Sequence, residues 1–248
     1  MTRMVRPPQD GGSGRGKRTR PAPGRGGIAT AGPVTTDTLI TIVLDKSGSM
    51  DVVRTATIDG FNRFKHDQLE IGGDARVSLT LFDSEVNEVC SAVPLREITD
   101  LGESTYQPGG TTALYDAIGA AIARTDALIA TKAVTPARVL FAVITDGEEN
   151  SSRHHNREAV FDVVRTHEQA GWSFVFLGAN IDSFAASREV GVAGAGRTRD
   201  WVATPGEMER NMRVFSAATK RYRGDDVDVS RSVQRAFFTE EDEKAGEH

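Results

Sequence analysis

Two hydrophobic rhythms divide the chain from residue 38 onward. "TLITIVLD" (38–45) and "RVLFAVITD" (138–146) are nearly unbroken aliphatic and β-branched runs, the pattern of strands buried on both faces. "RVSLTLFD" (76–83) alternates instead, and "EVNEVCSAV" (85–93) follows after a minimal turn, which predicts a hairpin. Between these runs the period changes. Residues 52–69 place Val53, Ile58, Phe61, Phe64 and Leu69 at helical spacing, and "TALYDAIGAAIARTDALIA" puts Leu114, Ile118, Ile122 and Ile129 on one helical face. A helix over 156–170, the strand "WSFVFLG" (172–178), a short helix near 182–190, a short strand near 200–203 and a helix over 206–221 complete the series. Cys90, Trp172 and Phe174 read as core positions. Strands alternating with helices predict an α/β fold: a mostly parallel sheet, helices on both faces, and one antiparallel hairpin strand at an edge.

The pattern sets the boundaries. Residues 1–35 are rich in Gly, Pro, Arg and Thr, lack any period and read as a disordered leader; residues 36–223 form the expected domain, and 224–248 an extension whose acidic end, from Glu240, is expected to fray. Charge sharpens this division. Arg3, Arg6, Arg15, Lys17, Arg18, Arg20 and Arg25 stand against Asp10 alone, so residues 1–33 carry +6 and the remainder of a chain of net charge −5 carries −11. A basic arm on an acidic body could touch nucleic acid or an acidic surface. No aromatic residue interrupts the arm to stack on a base, so a solvated leader is the simpler reading. "GGSGRGKR" approaches a phosphate loop, but Arg18 occupies the place of the magnesium-binding hydroxyl and no strand precedes it; "GAGR" near Gly194 is equally weak as a dinucleotide fingerprint.

At 248 residues the chain can bury one sizeable core. No apolar run approaches the roughly 20 residues that cross a bilayer, and no apolar segment follows the basic N-terminus as in a signal peptide. The single cysteine, Cys90, excludes an internal disulfide framework and a cysteine-based zinc cluster. A cytoplasmic location is expected.

Chemistry gathers in three segments: "DKSGSM" (45–50), "PGGTTAL" (108–114) and "ITDGEEN" (144–150). Asp45 and Asp146 both fall at the ends of predicted buried strands, where ligands gather in sheets of this kind. In an extended turn residues two apart face the same way, so Asp45, Ser47 and Ser49 can converge. Thr111 or Thr112 adds a third hydroxyl. Oxygen donors without His or Cys suit Mg2+, with Mn2+ or Ca2+ as alternatives, rather than zinc. Two carboxylates at most offset a divalent ion, so a metal held this way keeps an affinity for an outside carboxylate.

On these residues the chain resembles the von Willebrand factor A domain family, whose metal-ion-dependent adhesion site reads D-x-S-x-S, then a distant Thr, then a distant Asp. Asp45, Ser47 and Ser49 match the first element, Thr111 the second with Thr112 in reserve, and Asp146 the third. The resemblance covers about residues 36–223. It implies a Rossmann-like six-stranded sheet of order 3-2-1-4-5-6, serines on the metal, acids acting partly through water, and binding of an acidic side chain of a partner protein in place of catalysis. The stretch "FLGANIDSFAASREVGV" is similar to bacterial and phage proteins of that family.

The simpler readings compete residue by residue. Ser47 or Ser49 could cap a helix starting near Asp51, and Asp146 could serve an Asp-Gly turn. Glu148 and Glu149 read as caps of the next helix or solvated acids, His154 and His155 as surface, and Asp83 as a turn acid. A metal-dependent phosphoryl-transfer enzyme is the rival function, but an aspartyl-nucleophile phosphatase wants a second acid where Ser47 stands, and no catalytic base is evident. No enzymatic activity is therefore expected.

Overall fold

The unbroken run at 39–44 becomes the centre of the sheet because both of its faces have something to bury against. In the computed structural model, residues 34–179, 192, 196–230 and 236–247 are described; all belong to one compact unit, Gly32–His248. The expected disordered leader, apart from Val34 and Thr35, which already form strand, the helix near 182–190 and the first half of the Gly194 motif lie outside the described residues.

Six strands form one sheet: β1 (Val34–Asp45), β2 (Ala75–Phe82), β3 (Val86–Pro94), β4 (Val134–Thr145), β5 (Ser173–Ala179) and β6 (Thr198–Trp201). Their order is β3-β2-β1-β4-β5-β6. β2 and β3 pair antiparallel and every other neighbouring pair is parallel. The alternation of side chains along β1 sorts the core. Ile40, Ile42 and Leu44 join one cluster, with Phe61 and Phe64 of α1 (Arg54–Glu70) and Met212 and Phe215 of α4 (Pro205–Gly224). Leu39 and Val43 join the other, with Ile118 and Ile122 of α2 (Leu114–Ala130) and Val160 and Val164 of α3 (Arg157–Gln169). Each fully buried aliphatic side chain contributes about 1.5–3 kcal/mol, so a strand buried on both faces draws twice on that term.

Local signals explain the helix starts. Asn156 accepts a hydrogen bond from the Ala159 amide at the head of α3, at 2.9 Å, and Thr204 caps α4 ahead of Pro205. Leu69, expected on the buried face of α1, is exposed at its last turn. Cys90 is half-buried on edge strand β3, its thiol 3.6 Å from the Val77 carbonyl. Among the described residues no helix is long and apolar enough to cross a membrane.

The acidic end behaves differently from its composition. A short helix, α5 (Val227–Ser230), is followed by α6 (Glu240–Ala245), where fraying is expected. Thr239 and Asp242 form a reciprocal capping box. Arg221 reaches the Asp242 carboxylate at 2.9 Å, and Arg210 and Arg199 both pair with Glu243. Ahead of the helix, Phe237 and Phe238 are buried in the α1–α4 cluster. Sequence composition sees the acids but not the arginines of α4 and β6 that neutralise them. Removing residues 236–248 should therefore lower unfolding free energy by about 3 kcal/mol or more, read by urea denaturation; an unchanged midpoint would show the segment to be a passenger.

Candidate metal centre

The end of β1 lies beside the end of β4, where the direction of strand order reverses. Asp45 pairs in register with Phe82 on one side, while Leu44 faces Ile144 on the other. Three loops meet there: the turn after β1, the glycine loop before α2, and the loop after β4. Backbone hydrogen bonds stitch the first two together, from Gly48 N–H to the Gly110 carbonyl at 3.2 Å and from Gly109 N–H to the Lys46 carbonyl at 2.8 Å. Gly110 adopts φ +69, and a side chain there would collide with Ser84 Oγ at 2.6 Å.

Asp45 is fully buried. Its Oδ1 accepts the Ser47 amide and its Oδ2 the Thr145 hydroxyl, each at 2.6 Å. The fully buried Tyr106 donates its hydroxyl to the Asp45 carbonyl at 2.6 Å. Ser47 occupies the N-cap of the 3-10 turn Gly48–Val53 without making a side-chain cap. Its hydroxyl instead lies 3.2 Å from Ser49 Oγ, which donates to Asp146 Oδ1 at 2.6 Å. The helix-cap reading of the serines therefore does not describe this turn. Asp146 is also buried, and its Oδ2 has no hydrogen-bond partner.

The two threonines part company. Thr111 is exposed and its hydroxyl meets Ser84 Oγ at 2.9 Å. Thr112 is buried, and its Oγ1 lies 3.0 Å from where a Cβ on Gly147 would sit, a point 3.8 Å from Ser49 Oγ. The structure thus brings Asp45, Ser47, Ser49 and Asp146 together, with Thr111 exposed against Ser84 and Thr112 buried beside Gly147. Thr112 is pinned by Asn150, whose side chain accepts its amide at 2.9 Å and whose amide donates to its carbonyl at 3.0 Å.

Neighbouring residues take roles that sequence spacing does not show. Glu149 caps α2 rather than α3: it accepts from the amides of Tyr115, Ser151 and Ser152 and from the Ser152 hydroxyl, at 2.7–2.9 Å. Glu148 is exposed. Asp83 is a turn acid, accepting the Glu85 amide at 2.8 Å, and also forms an ion pair with Lys46. His155 is not free surface: its ring stacks tightly over Gly119 and meets Asp116 at 3.2 Å, while His154 stays exposed. Tyr106, Thr145 and Asn150 carried no motif; a buried tyrosine in a polar loop was the one available signal.

Electrostatics make the carboxylates want a cation. Burial pushes the Asp45 carboxyl up to about 6, against the hydrogen bonds from Thr145 and Ser47, and the charge of Asp146 adds to the rise. Burial raises Asp146 as well, opposed by Ser49. Among the described residues no three His, Cys, Asp or Glu side chains converge on a metal position. Two carboxylates with the Ser47 and Ser49 hydroxyls, and Thr111 or Thr112 next to them, nevertheless form a hard oxygen set that fits Mg2+ or Mn2+.

No protein-family model matches the sequence, and no curated protein resembles it closely enough to count as a relative. Similarity is found among solved structures. The VWA domain of SpRpn10 matches with a TM-score of 0.50 and 8% identity over 72% of this chain and 94% of that one. Proximal thread matrix protein 1 from the mussel byssus matches with a TM-score of 0.50 and 12% identity over 75% of this chain. The match takes in only 46% of the mussel protein's length. A weaker likeness, TM-score 0.48 with 18% identity over 70% of this chain and 71% of that one, is to manganese-loaded TRAP protein of Plasmodium vivax. At these identities the likeness establishes the fold, a von Willebrand A-like α/β sheet.

The raised Asp45 has a sign that can be tested. A carboxyl whose folded value (about 6) exceeds its ordinary 3.8 favours the folded state while protonated. That stabilisation is present below about pH 4 and lost as pH rises through 6. In chelator, the protein should lose about 2–3 kcal/mol between pH 4 and 7 from this group. Denaturation of Asp45→Asn should lack that component; an equal pH slope in both proteins would refute the assignment.

Proposed function

We propose that this chain is a divalent-cation-dependent protein-binding module, and not an enzyme. The cation, Mg2+ by the donor set, would be held by Ser47, Ser49 and Thr112, with Asp45 and Asp146 supplying charge directly or through water. When bound, it supplies a Lewis-acidic position for a Glu or Asp carboxylate of a partner protein. The observation that carries this reading is the unpartnered, buried Oδ2 of Asp146 beside serine hydroxyls that cap nothing. A buried carboxylate oxygen without a donor is costly, and a cation removes that cost.

The chain's own residues prepare the position. Asp45 is held by Thr145 and the Ser47 amide, so its two oxygens are already oriented. Tyr106 fixes the strand end from behind. Lys46 turns away to Asp83, which keeps its ammonium from neutralising the carboxylates. Two charges balanced against one divalent ion leave it able to accept a third carboxylate from outside. The fold likeness to a VWA domain supports the same reading.

Mg2+ at about a hundred times its Kd should stabilise the folded chain by about 2.7 kcal/mol, read as a rise in melting temperature reversed by EDTA. Asp45→Ala and Ser49→Ala should abolish the shift, and Thr112→Ala should weaken it more than Thr111→Ala. Affinity capture of partners by the wild type in Mg2+ should fail with EDTA and with Asp45→Ala. Capture that survives both treatments, or a melting temperature indifferent to Mg2+ and Mn2+, would sink the proposal.

A further inference from the structure

A groove of about 490 Å3 runs beside the candidate metal centre. One wall is the β2–β3 turn from Ser84, another the first turns of α2 from Ala113 to Arg124, and the third the loop 151–155. It begins next to the metal position, because Ala113 follows Thr112 directly and Ser84 is bonded to Thr111.

The charges along it are unevenly spent. Asp116, on the floor, accepts the amides of Arg153, His154 and His155 at 2.7–2.9 Å, besides the His155 ring. Burial alone would raise its carboxyl, but these donors outweigh burial and hold it below the usual carboxylate range. Arg124 is occupied in part by Glu88 at 3.3 Å and by the Thr80 hydroxyl at 3.0 Å. Arg153 and His154 are the contrast. Their backbones are fixed by Asp116, while their side chains are exposed and make no hydrogen bond or ion pair among the described residues. The loop wall therefore offers an anchored but unpaired guanidinium, Arg153, with the His154 ring next to it, and the acid left without an ion pair, Glu85, sits on the opposite wall.

We propose that this groove receives the chain flanking the metal-bound acid of a partner, and that Arg153, with His154 beside it, selects a second carboxylate in that segment. The proposal rests on the metal-dependent reading above. At about 1.5 Å per residue, Arg124 lies roughly 16 Å along α2 from Ala113. An extended peptide covers that length in about five residues. The groove thus takes an extended segment of about five residues, and the preferred partner carries a second carboxylate within that span of the metal-bound acid, lying along the loop and away from Glu85.

Three synthetic peptides test this with the full chain: a single Glu in a Gly/Ser background, and the same peptide with one Asp three residues before or after the Glu. Binding is read by NMR titration in Mg2+ and in EDTA. One of the two diacidic orders should bind about fivefold more tightly than the single-Glu peptide. Arg153→Glu should erase that gain and leave the single-Glu peptide unchanged. The absence of a gain, or a gain that survives Arg153→Glu, would overturn the groove proposal even where single-Glu binding remains Mg2+-dependent. A gain lost in Arg153→Glu but equal in EDTA would instead uphold the groove and overturn the metal reading.

Discussion

One buried carboxylate organises this end of the molecule. Asp45 sits fully buried at the tip of the central strand, which lies between β2 and β4. An ion placed there must be hydrogen-bonded or neutralised, because an uncompensated buried charge costs several kcal/mol. Ser47 and Thr145 answer this need from the turn and from the adjoining strand, while Tyr106, in the long loop before α2, holds the Asp45 main-chain carbonyl. Ser47 and Thr145 fix the carboxylate without cancelling its charge. That remaining charge, with the orphaned oxygen of Asp146 beside it, gives the surrounding loops a reason to be where they are.

A second tier of bonds makes those loops a single piece. Glu149 and Asn150 follow Asp146 within four residues, yet both serve the start of α2. Asp116 returns the favour by gathering the amides of 153–155. The loop that presents Asp146 and the segment that presents Thr112 are therefore locked together through main-chain groups. Such a scaffold holds donors at fixed spacing, which a small hard cation requires more strictly than a large one.

Much of the fold was legible because the signals were local. Continuous apolar runs gave β1 and β4, alternation gave the β2–β3 hairpin, and the helical period gave α1 and α2. The parallel order and the edge pair agree with the resemblance to the von Willebrand A family. The site was legible in outline, since Asp45, Ser47, Ser49 and Asp146 meet at strand ends. The choice between Thr111 and Thr112 was not, because adjacent residues in a glycine loop differ only in how that loop docks on Ser84 and Asn150. Tyr106 and Thr145 escaped for a related reason. Their roles are set by partners 61 and 100 residues away. The order of α6 was hidden likewise, since its stabilising arginines lie on α4 and β6.

The separation between Asp45 and Thr145 has a kinetic consequence. Hydrogen bonds across 100 residues form only after a large loop has closed, and closures of that size come late and slowly in folding. A chain that has made β1 and its serine turn holds the whole D-x-S-x-S motif and still lacks two of the five proposed donors, the threonine and Asp146. Nor can local nucleation supply them, because β4 must first dock along the full length of β1. Cation capture would therefore be a property of the finished sheet and of no shorter intermediate. A nascent or partly unfolded chain would pass through ion-rich solution without engaging either the metal or the partners that depend on it.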